Sequence, residues 1–359
     1  MKSSRRDFLK VSATAALAAV LPAGRSSLAA ANPEVASTSK PLPAPNPATG
    51  DLRLCTFLPH AGEAPRVGAL TASGRIVDVG ATAQKAGVKL PFDPAQLLSL
   101  IAAGGPALDA VRKVVATVTG QGARPEDVRI LAPIPKLERN IYAVGWNYVE
   151  HFKEGAGLRP AEQKELPEHP TFFSKAAHVI NGPYDAIPFD PAVSTMIDWE
   201  GELAVIIGKR GRNIPEEKSL DYVFGYTVIN DTTARDLQQK KHGGQWFKGK
   251  SLDGHGPMGP WIVTAGEIDP GKLNILTRVN GQVMQDASTE QMYFKVPRII
   301  AELSMGLTLE PGDVIATGTP PGVGYARKPP VFLKPGDIME TEIVGIGTMR
   351  NLIAEATNG

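Results

Sequence analysis

The chain has 359 residues, 42% hydrophobic and 21% charged, with 37 Gly and 31 Pro, which suits one large or two moderate globular domains with many tight turns. A formal charge of +1, no long basic block and 6% aromatic residues exclude a nucleic-acid groove or stacking platform. The lone Cys55 excludes an intramolecular disulfide and a cysteine-rich metal site, so stability must come from an ordinary core.

Residues 1–31 have the order of a signal peptide: a basic start, a modest apolar stretch over 11–21, then small residues ending in Ala29-Ala30-Ala31. Arg5-Arg6, followed by Asp7, Phe8, Leu9 and Lys10, resembles the twin-arginine (Tat) export motif. The resemblance implies passage through the Tat machinery in a folded state and a periplasmic location. The apolar stretch is far short of the ~20 residues needed to span a bilayer, so no stable membrane anchor is expected after cleavage. Removing 1–31 takes away Lys2, Arg5, Arg6, Lys10 and Arg25 against Asp7, which leaves a mildly acidic mature chain. Residues 32–50 carry five prolines and almost no bulky apolar side chain, as a disordered or polyproline-like leader does.

Residues 52–58 read as a strand, and 67–80 as two strands around a turn at Gly74. Leu97, Leu98, Leu100 and Ile101 follow Pro94 at helical spacing, and Leu108, Val111, Val114 and Val115 follow Pro106 in the same way. A strand over 128–135 then runs into a Pro-bounded linker, so a small N-terminal α+β domain is placed at 51–133 and a second domain at 134–359. Beyond the boundary, β-rich runs at 140–145, 203–208, 222–230, 259–265, 273–283, 313–318 and 337–353 are separated by Gly/Pro turns. One helix is expected at 296–306. Strands without regular intervening helices predict an α+β, β-rich architecture and argue against a doubly wound or barrel α/β fold.

Five segments carry candidate chemistry. In GWNYVEHFKE, residues 145–154, His151 and Glu154 share a face if the segment is helical, where a carboxylate fixes the imidazole tautomer and raises its basicity; an ordinary surface ion pair fits as well. In DWEGELAVIIGK, residues 198–209, Glu200 and Glu202 project from one side of a strand, either into solvent or onto a hard divalent ion. Asp231 ends the next apolar strand, before Arg235 and Gln238, as a helix N-cap or as a third carboxylate. Lys250 lies between Gly249 and Gly254, and Gly318 and Thr319 sit on a Gly/Pro loop that could present donors to an anion or be only a tight turn.

Taken in order, these pieces resemble the catalytic domain of the fumarylacetoacetate hydrolase (FAH) family over residues 128–356. The matching positions are Gly145, Asn147, Tyr148, His151 and Glu154, the Glu200/Glu202 pair, Asp231, Arg235 and Gln238, then Lys250, Gln285, Asp313 and Thr319. Residues 51–127 match that family's variable N-terminal domain loosely. The resemblance implies a mixed β-sheet roll, a homodimer, and Mg²⁺ (or Mn²⁺ or Ca²⁺) held by Glu200, Glu202 and Asp231. Some members add an Asp seven residues before the His; that position is Val144 here, which implies a three-carboxylate site.

It further implies His151, Glu154 and Lys250 as catalytic groups, and Lys175, Arg235, Gln238, Gly318 and Thr319 as substrate-binding ones. The activity implied is hydrolysis of a carbon–carbon bond in an acylpyruvate or other 1,3-diketo acid through a metal-bound enolate, with the His–Glu pair activating water. The same scaffold also carries isomerases, decarboxylases and lyases of 2-oxo and 2-hydroxy-dienoic acids, and those stand as the alternative. A binding protein without turnover is disfavoured because no motif residue is missing.

Overall fold

The computed structural model describes residues 52–118, 122–158 and 165–356; the signal segment and the Pro-rich leader lie outside the described residues. In chain order the elements are β1 (Arg53–Leu58), β2 (Arg66–Leu70), β3 (Ile76–Asp78), α1 (Val79–Ala86), α2 (Leu97–Ala103), α3 (Gly105–Ala116), β4 (Arg129–Leu131), β5 (Ile141–Gly145), α4 (Val149–Glu154) and β6 (Thr171–Lys175). Then come β7 (Ile180–Asn181), β8 (Ile187–Phe189), β9 (Ile197–Asp198), β10 (Gly201–Ile207), β11 (Val223–Asn230), β12 (Thr233–Ala234), α5 (Arg235–Lys240) and β13 (Gly256–Thr264). The chain ends with β14 (Asn274–Val279), β15 (Gln282–Ser288), α6 (Val296–Ser304), β16 (Val314–Ala316), β17 (Ile338–Ile343) and β18 (Gly347–Glu355).

Eleven strands make one sheet in the order β3-β2-β1-β13-β11-β10-β16-β5-β6, with β4 added beside β1 and β7 beside β13. A five-stranded sheet, β15-β14-β17-β18-β8, covers one face of it. The central strands are apolar at successive positions because both faces are covered. Along β10, Leu203, Val205 and Ile207 enter a core shared with Ile275, Ile343, Met349 and α6, while Ala204 and Ile206 enter a second core under α2 and α3. This is the β-rich α+β fold expected, with no closed barrel among the described residues. The boundary expected near residue 133 falls inside a continuous sheet, since β1 pairs with β13 through Arg53–Val263 and Leu54–Ile262.

One element departs from the sequence reading. Residues 75–80 were expected to be strand to their end, yet β3 stops at Asp78, whose carboxylate accepts the Ala81 N–H at 2.9 Å and caps α1. Gly87, at φ +66°, closes that helix.

Candidate active site

The central antiparallel pair β10/β11 builds the acidic floor. Glu202 lies in β10 and Glu200 just before it, where the Glu200 carbonyl accepts the Asp231 N–H at 2.8 Å. This puts Asp231, at the end of β11, opposite the two glutamates. One oxygen from each of the three carboxylates lies within 4.8 Å of the others, and all three are buried. Asp231 does not cap the following helix: α5 starts from Ala234 with no side-chain cap, so the carboxylate-cluster alternative holds.

Three cations meet these carboxylates. Lys250, on a short 3₁₀ turn at Lys248–Lys250, donates to Glu200 Oε2 at 2.5 Å and Asp231 Oδ2 at 2.6 Å. Lys175, at the end of β6, is fully buried and reaches Asp231 Oδ1 at 2.7 Å. Arg235 spans Asp198 at 2.8 Å and Glu200 at 2.6 Å, with its guanidinium 4.1 Å from the centre of the Tyr325 ring. Burial by itself raises the Glu200 carboxyl, but Lys250 and Arg235 outweigh it and hold it at about 2. Lys250 is raised because Asp231 and Glu200 overcome its burial, whereas burial wins at Lys175 and draws it below the ordinary lysine value.

Glu202 differs from its neighbours. Its described contact is a hydrogen bond from the Gly318 N–H to Oε2 at 2.7 Å, and among the described residues no cation forms an ion pair with it. Burial, followed by the charges of Asp231 and Glu200, pushes it well above the usual carboxylate range. A buried carboxylate without an ion pair of its own among the described residues, beside two others, is a donor set that suits an oxygen-liking divalent cation. The residues present therefore fit a metal, and Glu200, Glu202 and Asp231 are the ones to hold it.

The dyad forms as the spacing suggests. Helix α4 brings His151 Nδ1 to 2.7 Å from Glu154 Oε1, and the Gly322 N–H donates to Glu154 Oε2 at 2.8 Å. His151 lines the same cavity as Glu200 and Glu202, a space of about 350 Å³ also bounded by Arg235, Gln238, Lys250 and Thr319. Asn147 fixes the approach to α4 by donating to the Phe294 and Thr317 carbonyls at 3.0 and 2.7 Å and accepting from the Phe294 N–H at 2.7 Å.

Not every expected substrate contact reaches the cavity. Lys175 lies behind Asp231, donating also to the Lys250 and Thr232 carbonyls, and does not line it. The Gly318 N–H is committed to Glu202. Thr319 lines the cavity while its hydroxyl bridges Gln285 and the Gly201 carbonyl. Gln238 lines the cavity and accepts from Arg235 at 3.1 Å.

The structure adds groups that sequence reading did not place in the site. Asp198 receives Arg235 and the N–H groups of Gly324 and Tyr325, and its i−2 spacing from Glu200 was a visible signal. Tyr325 and the aromatic rings of Trp146, Phe173 and Trp246 also line the cavity, and nothing local in the sequence announces them.

Residues 140–354 match the fumarylacetoacetate (FAA) hydrolase C-terminal family. The chain belongs to that family, an enzyme superfamily with hydrolase, isomerase and tautomerase members. It is 41% identical over 302 residues to a mitochondrial oxaloacetate tautomerase of Xenopus laevis, covering 84% of this chain and 89% of the relative. It is 46% identical over 228 residues to an oxaloacetate tautomerase of Bacillus subtilis, covering 63% and 73%. Among solved structures it resembles a maleylpyruvate hydrolase from Sphingobium, in complex with manganese(II) and pyruvate, with a TM-score of 0.66 and 29% identity over 85% of this chain and 100% of that one.

Proposed function

We propose that the protein is a divalent-metal-dependent enzyme that interconverts the enol and keto forms of short 2-oxo acids, with oxaloacetate as the reference substrate. The observation that carries this reading is His151, held by Glu154, on the wall of the cavity that Glu200 and Glu202 also line, with Asp231 clustered beside those two carboxylates. The tautomerase relatives at 41% and 46% identity support it over the carbon–carbon hydrolysis expected from sequence. A divalent ion on Glu200, Glu202 and Asp231 supplies a Lewis acid that lowers the energy of negative charge on the acid's oxygens.

The chain's own residues do the proton work. Because Nδ1 is held by Glu154, His151 presents Nε2 to the cavity in a fixed tautomer. In the enol-to-keto direction His151 Nε2 takes the proton of the enol hydroxyl and delivers one to C3, which returns the imidazole to its starting form; the reverse steps apply in the other direction. Lys250 and Arg235 line the same space and set positive charge beside the oxygens. Hydrolysis of an acylpyruvate needs the same base to activate water, and the maleylpyruvate hydrolase likeness favours it as the second reading.

The test is the decay of enol-oxaloacetate absorbance with Mg²⁺ or Mn²⁺ and with EDTA, run beside acylpyruvate with pyruvate release as readout. Metal-dependent enol loss without pyruvate release establishes the tautomerase; pyruvate release from acylpyruvate alone replaces it with the hydrolase.

A further inference from the structure

Residues 198–202, which lead into β10, lie against residues 318–325 in antiparallel order and are hydrogen-bonded to them along their length. The Gly318 N–H donates to Glu202 Oε2 at 2.7 Å, and the Thr319 hydroxyl donates to the Gly201 carbonyl at 3.1 Å. Trp199 Nε1 donates to the Gly322 carbonyl at 3.1 Å, and Asp198 accepts the N–H groups of Gly324 and Tyr325 at 2.6 and 3.0 Å. Asp198 and Trp199 are fully buried, and neither is among the described residues that line the cavity.

The middle of this loop also meets the dyad. The Gly322 N–H donates to Glu154 Oε2 at 2.8 Å, while Glu154 Oε1 holds His151 Nδ1 at 2.7 Å. Glycine is required there: φ is +108°, and a β-carbon would collide with the Met284 carbonyl oxygen. Gly322 has no side chain to anchor it, so it is placed by what grips the backbone. Trp199 holds its carbonyl, joined by Arg327 at 3.3 Å, and Asp198 holds the chain two residues further on. Asp198 is itself fixed by Arg235 Nε at 2.8 Å, and the Arg235 guanidinium lies 4.1 Å from the centre of the Tyr325 ring.

Resting on the proton-transfer reading above, we infer that Asp198 and Trp199 are positioning residues for His151: they hold the Gly322 N–H against Glu154, and Glu154 in turn fixes the imidazole tautomer. A carboxylate anchored at one oxygen by a backbone donor keeps its other oxygen aimed at Nδ1–H. Released from the loop, Glu154 is free to change rotamer. The imidazole can then carry its proton on Nε2, the atom that has to accept one from the substrate.

The test reads the tautomer separately from turnover. Asp198→Asn puts an amide donor where the carboxylate accepts, and Trp199→Phe removes one indole N–H while keeping a ring in the core. The readout is the ¹⁵N spectrum of the Mg²⁺-loaded full chain labelled in histidine, at a pH where the ring is neutral, with His151 assigned by its loss in His151→Gln. The wild type is expected to hold the Nδ1–H tautomer. Asp198→Asn is expected to shift it toward Nε2–H, as Glu154→Gln does in full, and Trp199→Phe to shift it part of the way. In the enol-oxaloacetate assay Asp198→Asn is expected to lower kcat about tenfold. Added to Glu154→Gln, it should lower kcat no further, because both changes act through one carboxylate.

Thermal unfolding shows whether each variant folds; where Asp198→Asn does not, Trp199→Phe decides alone. A tautomer unmoved in the folded variants overturns the inference even if their stability falls, and so does a tenfold loss of kcat in both the wild-type and Glu154→Gln backgrounds. If the tautomer shifts as stated and the wild type converts no enol-oxaloacetate, the tautomerase reading fails while the positioning stands. If the wild type converts it and the tautomer stays in place, the positioning fails alone.

Discussion

Glu202 and Asp231 sit in one acidic cluster yet carry opposite electrostatic burdens. Asp231 is matched by Lys175 and Lys250, so Asp231→Asn strands the buried Lys175 ammonium and leaves Lys250 with Glu200 alone, and is expected to cost on the order of 3–5 kcal/mol. Glu202 is in no ion pair among the described residues and burial disfavours its charged form, so Glu202→Gln is expected to leave the metal-free protein as stable as the wild type or more so. Both variants should lose the stabilisation that added Mg²⁺ or Mn²⁺ confers. Thermal unfolding in EDTA and in metal separates these outcomes. A Glu202→Gln protein that keeps its metal response removes that residue from the ligand set. His151→Gln is expected to depress kcat while leaving metal affinity within about threefold, because the imidazole acts as a base and not as a ligand.

His255 sets part of the acid limit of stability. Its Nε2 contacts the Pro188 carbonyl at 2.8 Å, and burial holds the imidazole down to about 4. A histidine depressed in the fold takes its proton first in the unfolded chain. The stability tied to its neutral form is therefore complete above about 6.5 and is lost as the pH falls toward 4, by roughly 3 kcal/mol at most. Urea midpoints between pH 7 and 4.5 should fall less steeply in His255→Gln than in the wild type; parallel slopes would dismiss this assignment.

At the scale of elements, a few side chains outside the chemistry hold α4 and the acidic strands in register. Asn147 makes three buried hydrogen bonds that tie the chain before α4 to Phe294 and to Thr317, two residues before Thr319. Asn147→Ala leaves those backbone groups unpaired and is expected to cost roughly 2–4 kcal/mol. It should also lower kcat, because α4 carries His151; urea unfolding and steady-state kinetics check the two effects separately. Gly318 has φ +98°, and a β-carbon there would lie 2.7 Å from Asn147 Cβ, so the same packing explains why this loop turns on glycine.

At the scale of the molecule, the proposed ligands Glu200, Glu202 and Asp231 come from separate strands, which would make metal binding a property of the folded state. A metal that binds only the native form adds about 2.7 kcal/mol at a hundredfold excess over its Kd, so the unfolding temperature should climb with Mg²⁺ or Mn²⁺ concentration and fall back with EDTA. Export remains a proposal that rests on Arg5-Arg6, outside the described residues. Lys at both positions is expected to retain the precursor in the cytoplasm, as fractionation would show, and continued export would point to another route.

The strands, the β-rich class, the His151–Glu154 spacing and the Glu200/Glu202 pair were legible in the sequence because each is local, whereas the joining of Asp231 to that pair was implied only by the family resemblance. Alternation along a strand, i to i+3 spacing in a short helix and a Glu-x-Glu pair are written in neighbouring residues. The first helix was misread because its start depends on one hydrogen bond from Asp78, which competes with the strand pattern running into it. The tertiary structure alone decided that Lys175 lies behind Asp231 while Lys250 faces the cavity. It alone gathered Phe173, Trp146 and Trp246 into one wall, and it alone gave Glu202 a backbone N–H and no ion pair among the described residues. Charge pairing and ring packing here join residues tens of positions apart, and their free energies depend on burial and distance that no local pattern encodes.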